Sequence, residues 1–119
     1  MNVLSEKACT ACRADAPALS DAEVRTALVQ LPAWSLEIVD GVNQLTRVYR
    51  FDNFMQALGF TQAVGELAEE NNHHPALLTE WGQVKVSWWT HKIKGLHEND
   101  AIMAAKTEQL FAARVSSSS

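Results

Sequence analysis

The stretch "WSLEIVDGVNQLTRVYRF", residues 34–51, constrains the fold more than any other part of the chain. Two β-rich runs flank Asp40-Gly41, a dipeptide that suits a type I′ turn because both of its residues tolerate positive φ. A two-residue loop leaves no freedom of register. It sets Leu36 across from Leu45 and Trp34 across from Arg47, so the core face of both strands follows from the turn alone.

A second hairpin is expected at 77–81 and 83–90, turning near Gly82. There Val84, Val86 and Trp88 alternate with Lys85, Ser87 and Trp89, the period of a half-buried strand. Trp88 falls in the core register, and Trp81 reads as a turn anchor. Trp89 shares a face with His91 and could line a pocket for a flat heterocycle or pack in a subunit interface.

Helices are expected around these hairpins. Ser20 and Glu23 form a capping box, with Leu19 and Val24 as its hydrophobic staple. The helix carries Val24, Ala27, Leu28 and Leu31 on one stripe and stops at Pro32. Asp52 can cap a second helix to about Glu70, with Phe54, Leu58 and Leu67 among its buried positions. A third helix, 98–115, offers Ile102, Met103, Leu110 and Ala113 to the core. The expected fold class is therefore α+β: a single domain of order α-β-β-α-β-β-α, with a four-stranded antiparallel sheet and helices packed on one face. We expect an irregular leader at 1–18, the domain at 19–115 and a disordered tail at 116–119.

Composition excludes some roles. Ten Lys and Arg against fourteen Asp and Glu give a net charge of −4, and the basic residues are scattered. Nucleic acid and anionic membrane surfaces, which need clustered cations, are poor partners. No apolar run approaches the roughly 18–20 residues of a membrane span. The first twenty residues lack the basic start and apolar block of a signal peptide, so the expected location is cytoplasmic. Cys9 and Cys12 make one CxxC, without the second ligand pair of a zinc site or the preceding strand of a thioredoxin motif; two free thiols on the leader is the simpler reading.

The candidate chemistry lies in 70–100, "ENNHHPALLTEWGQVKVSWWTHKIKGLHEND". His73 and His74 fall where the second helix gives way to an extended segment, so their side chains should diverge and need not share a partner. Pro75 biases His74 toward extended geometry. His91 closes the last strand, which the hairpin returns toward Pro75, so the three rings can converge at one sheet edge beside Glu69. His97 reads as part of a helix cap. Three histidines can hold catalytic zinc. Adjacent residues that diverge hold one ion poorly, however, and HExxH is absent. General acid–base work, which imidazole performs near neutrality, is preferred.

"EENNHHP", a Thr-His sixteen residues after Pro75, and "KGLHEND" together resemble the pterin-4a-carbinolamine dehydratase family over about 19–115. The leader "CTACRADAP" is similar to that of bacterial members that serve phenylalanine hydroxylase. The resemblance implies a hydro-lyase that expels water from 4a-hydroxytetrahydropterin to give quinonoid dihydropterin, with no metal and no organic cofactor. It implies His73, His74 and His91 as the catalytic set. Glu69, Asn72, Trp89, Thr90 and Asp100 are implied as contacts on the substrate side or supports of the site. It further implies a homodimer or homotetramer built through sheet edges and helix packing. Three departures bear on substrate preference. Asn72 stands where many members have Asp and cannot act as a base. Trp89 replaces a small residue, and Asn99 a basic one. Two other roles attach to similar proteins: a protein-binding, coactivator-like dimerisation factor, and a part in molybdopterin metabolism.

Overall fold

The computed structural model describes residues 19–91 and 95–117. The leader expected at 1–18, with Cys9 and Cys12, lies outside them. The order is α1 (Asp21–Gln30), β1 (Ser35–Val39), β2 (Val42–Arg50), α2 (Phe54–Asn71), β3 (Ala76–Glu80), β4 (Gln83–Trp88) and α3 (Glu98–Ser117). The strands form one antiparallel sheet in the order β1-β2-β4-β3. This is the expected α+β fold.

The first hairpin has the expected register. Leu36 pairs with Leu45 and Val39 with Val42, and Asp40 and Gly41 have φ of 51° and 78°. In the second, Glu80 pairs with Gln83 around Trp81-Gly82. Gly82 has φ 75°, and a Cβ there would sit 3.2 Å from the carbonyl oxygen of Phe51, whose N–H donates to the Gly82 carbonyl at 2.9 Å. Only glycine fits that approach without displacement. Trp81, expected to anchor the turn, is 73% exposed. The turn is held by its glycine and its backbone, not by the indole. The strand expected to reach Thr90 ends at Trp88, and Thr90 instead forms an isolated bridge with Gly95.

The capping box on α1 is present in both directions, Glu23 N–H to Ser20 Oγ and Ser20 N–H to Glu23 Oε1. Those bonds, the Ser20 backbone bond foremost, hold the Glu23 carboxyl below its ordinary range. For α2 the cap is Asn53, not Asp52: its side chain accepts from the Gln56 N–H at 2.9 Å, the spacing a cap requires. The buried face of α2 is Ala57, Phe60, Val64 and Ala68. Of the three residues expected inside, Phe54 and Leu58 are 42% and 43% exposed and Leu67 is half-buried. Apolar residues surround most of this helix, so periodicity defined a stripe without defining which stripe the sheet would take. In α3 Ile102 and Met103 are fully buried and Leu110 is half-buried. The helix runs on to Ser117, taking in two of the serines expected in the tail.

One core lies between the sheet and the helices. Leu45, Tyr49, Val84, Val86 and Trp88 point into it from the central strands, and Tyr49 meets Phe60 and Phe111 at ring separations of 4.8 Å. At its far end three donors converge on one oxygen of Glu108 from α3. These are Trp34 Nε1 at 2.8 Å, Tyr49 O–H at 2.6 Å and the Arg47 guanidinium, which also lies over the Tyr49 ring. Trp34 and Arg47, expected as a cross-strand pair, share this carboxylate. Burial, and then Glu108, push the Tyr49 hydroxyl well above its ordinary range.

Candidate active site

The site begins with the way α2 ends. Asn72 adopts the left-handed conformation (φ 50°, ψ 43°), which Asn tolerates better than most residues. The turn lets the His73 N–H close back on the Ala68 carbonyl at 3.1 Å, as in helix ends of this kind. The chain then extends through Pro75 into β3, so successive side chains alternate. His73 goes under the sheet and is 5% exposed, whereas His74 stays above it with its side chain 53% exposed.

Their partners differ, as the extended geometry predicts. His73 Nε2 lies 2.7 Å from Asp100 Oδ1, and its ring is parallel to that of Trp88. His74 Nε2 lies 3.0 Å from Glu69 Oε2, one helical turn earlier on α2. Two neighbouring imidazoles thus hold two separate carboxylates, one buried and one solvated.

Asp100 organises the buried half. It is fully buried in the first turn of α3, and its Oδ2 accepts from Thr90 Oγ1 at 2.8 Å and from the His97 N–H at 2.9 Å. His97 Nδ1 in turn accepts from the Asn99 N–H at 3.1 Å. His97 and Asp100 therefore reproduce a capping box with unusual residues, and the cap expected at His97 is present. A carboxylate accepting three donors can be buried with little net penalty. Among the described residues, every buried side-chain nitrogen and oxygen has a partner.

Above the sheet, His91 begins the loop that the Thr90–Gly95 bridge closes, with bonds of 2.8 and 3.4 Å. Its exposed ring stacks on Trp89 at 4.4 Å. The β3–β4 register has its last pair at Ala76 and Ser87 and runs toward His74 on one strand and Trp89 on the other. The sequence expectation of three converging rings is corrected in one respect. The backbone positions do come together, but His73 lies beneath the sheet on Trp88, while His74 and Trp89–His91 lie above it.

The fold also makes a cleft of about 310 Å³ between α1 and the start of α3, walled by Leu19, Glu23, Thr26 and Glu98. None of the site histidines lines it. Among the described residues no set of three His, Cys, Asp or Glu is grouped to hold a metal ion, and no helix is long and apolar enough to cross a membrane. Sequence reasoning placed Trp88 in the core and His97 in a helix cap, as the structure has them, and missed that Trp88 stacks on His73 and that the His97 N–H donates to Asp100. Only tertiary partners show those two contacts.

Fold and site together define an α+β protein with a histidine–carboxylate site at the junction of a helix and two strands. The profile of the family described as "Pterin 4 alpha carbinolamine dehydratase" matches residues 17–110, and the chain belongs to that family. Among solved structures it is similar to the transcriptional coactivator/pterin dehydratase of Brucella melitensis, at 33% identity. That match covers 79% of this chain and 98% of the other, with a TM-score of 0.71. A pterin dehydratase-like protein identified as a RuBisCO assembly factor in the alpha-carboxysome shares the fold at 20% identity and a TM-score of 0.55, covering 66% and 88% of the two chains.

Proposed function

We propose that this protein removes water from 4a-hydroxytetrahydropterin by histidine general acid–base catalysis, without metal or organic cofactor. The observation that carries the reading is the pair of adjacent imidazoles with separate carboxylate partners, His73 on buried Asp100 and His74 on solvated Glu69. In the reaction the C4a–O bond breaks and the departing hydroxyl takes a proton to become water. Ring nitrogen 5 loses its proton, and the C4a=N5 double bond forms. One group must donate and another accept, and no electrons leave the substrate.

His74 and His91 are the exposed rings on the open side of the site and are assigned to these two proton transfers. A positioned acid or base contributes about 10²–10⁴ in rate. Trp89, stacked on His91, offers an aromatic face to a flat pterin ring. Asn72 and Glu69 flank His74 at the end of α2, while Asp100 and Thr90 act from below through His73 and the strand end. Recycling the pterin of phenylalanine hydroxylase is the role we assign to the activity, on the likeness of the leader to that of bacterial members.

The deciding experiment is a dehydration assay on freshly generated 4a-hydroxytetrahydropterin, following the rise of quinonoid dihydropterin. Acceleration over the uncatalysed loss of water is expected. Equal rates with and without the protein would leave the coactivator-like or molybdopterin-related roles as the better readings. Phe54, Met55 and Leu58 give α2 an exposed apolar stripe, Met55 being 71% exposed. That stripe supports a homo-oligomer packed through α2. Light scattering at micromolar concentration should return at least twice the 13.2 kDa chain mass.

A further inference from the structure

We infer that Trp88 and Thr107 are positioning residues for His73, fixing the plane of its ring from beneath the sheet. The inference rests on the dehydratase reading for its catalytic consequence, though not for its geometry. The hydrogen bond from His73 to Asp100 sets where Nε2 points, but one such bond does not by itself fix the tilt of a ring about the N···O line. The second constraint is the Trp88 indole, which lies 5.7 Å from the imidazole centroid with only 6° between the planes. Aromatic pairs at such separations have definite preferred geometries. A hydrogen bond and a stack together leave one orientation.

Trp88 is itself held. It is fully buried, and its Nε1–H donates to Thr107 Oγ1 at 3.1 Å. The Thr107 hydroxyl proton is committed to the Met103 carbonyl at 2.7 Å, which leaves the oxygen as an acceptor for the indole. Asp100, Met103 and Thr107 are spaced at i, i+3 and i+7, so one stripe of α3 supplies both constraints on His73. A single stiff element is the support that a precisely oriented group requires.

The test combines Trp88→Phe, Trp88→Leu, Thr107→Val and Thr107→Ser with two readouts at a temperature where each variant is folded. The first is the ¹H–¹⁵N signature of the His73 imidazole, which reports its tautomer and its bond to Asp100 without any substrate. The second is dehydratase kcat and KM. Trp88→Leu and Thr107→Val should broaden or shift the His73 signals. They should also lower kcat by about tenfold or more, since His73 adjoins His74, one of the two proton-transfer groups, and a small misplacement passed to a reacting group costs up to about 10²-fold. KM should stay within about twofold. Thr107→Ser, which keeps the hydroxyl, and Trp88→Phe, which keeps a ring, should lie near the wild type and between the extremes, respectively. If Trp88→Leu does not fold, Thr107→Val decides. Folded variants with unchanged His73 signals overturn the inference. If the wild-type protein shows no dehydration at all, the signals still judge the positioning, and only the functional reading falls.

Discussion

His73 Nε2 and Asp100 Oδ1 lie 2.7 Å apart, tying the residue just beyond α2 to the first turn of α3. Because Asp100 also accepts from Thr90 and the His97 N–H, one carboxylate fixes the end of a helix, the end of a strand and the start of another helix. The buried half of the site is thereby also a structural joint. Substitutions beneath the sheet and above it should have different signatures.

Above the sheet, His74→Ala and His91→Ala should each lower kcat by about 10²-fold or more. Melting curves should barely move, because exposed positions away from packed features change stability by about 0.5 kcal/mol or less. The double variant should fall less than the product of the singles, as groups acting in one step do. Near-native turnover in both folded single variants would remove these residues from the proton transfers.

Beneath it, Asp100→Ala should reduce both activity and stability. Three donors lose their acceptor at a fully buried position, and each buried polar group left unpaired typically costs about 1–3 kcal/mol. Chemical denaturation should place this variant well below His74→Ala. Comparable stability of the two would contradict the joint.

Chelation should leave activity unchanged. Extended incubation with EDTA and dialysis, followed by the dehydration assay and metal analysis, measures this directly. Stoichiometric zinc whose removal abolishes turnover would reverse the acid–base reading.

Tyr49 should make the protein alkali-sensitive. Its hydroxyl is raised by burial and by Glu108, so the folded state holds this proton more tightly than the unfolded chain does. The corresponding stability is fully present below the unfolded value of about 10 and is lost as pH rises beyond it. It is the chain's only tyrosine. Urea midpoints from pH 9 to 11 should fall more steeply for the wild type than for Tyr49→Phe. Parallel profiles would show that this hydroxyl is not the cause.

Glu108→Ala should loosen α3 from the sheet, since it strands the Trp34 N–H, the Tyr49 O–H and the Arg47 guanidinium. Arg47 and Glu108 are 21% and 33% exposed, so water replaces part of the loss. A cost of about 1–3 kcal/mol is expected. Calorimetry should show Tm lower by about 4–8 °C for each kcal/mol. Glu108→Gln keeps an acceptor and should lose less.

What the sequence determined by itself was local. Asp40-Gly41 and Gly82 dictated two tight turns, their register followed from loop length, and alternation told Trp88 from Trp89. Ser20 and Glu23 began α1 at the position expected, and the HHP and Thr-His spacing pointed to the candidate site. Tertiary structure decided what sequence distance hides. More than one stripe of α2 carries apolar residues, Phe54 and Leu58 among them, and the sheet chose Ala57, Phe60, Val64 and Ala68. Which histidine would be buried depended on Asp100, 27 positions further along the chain, and the partner of Trp34 was 74 positions away. Turn chemistry and periodicity act over a few residues and are written in composition. A hydrogen bond between distant side chains exists only once packing has brought its two ends within about 3 Å.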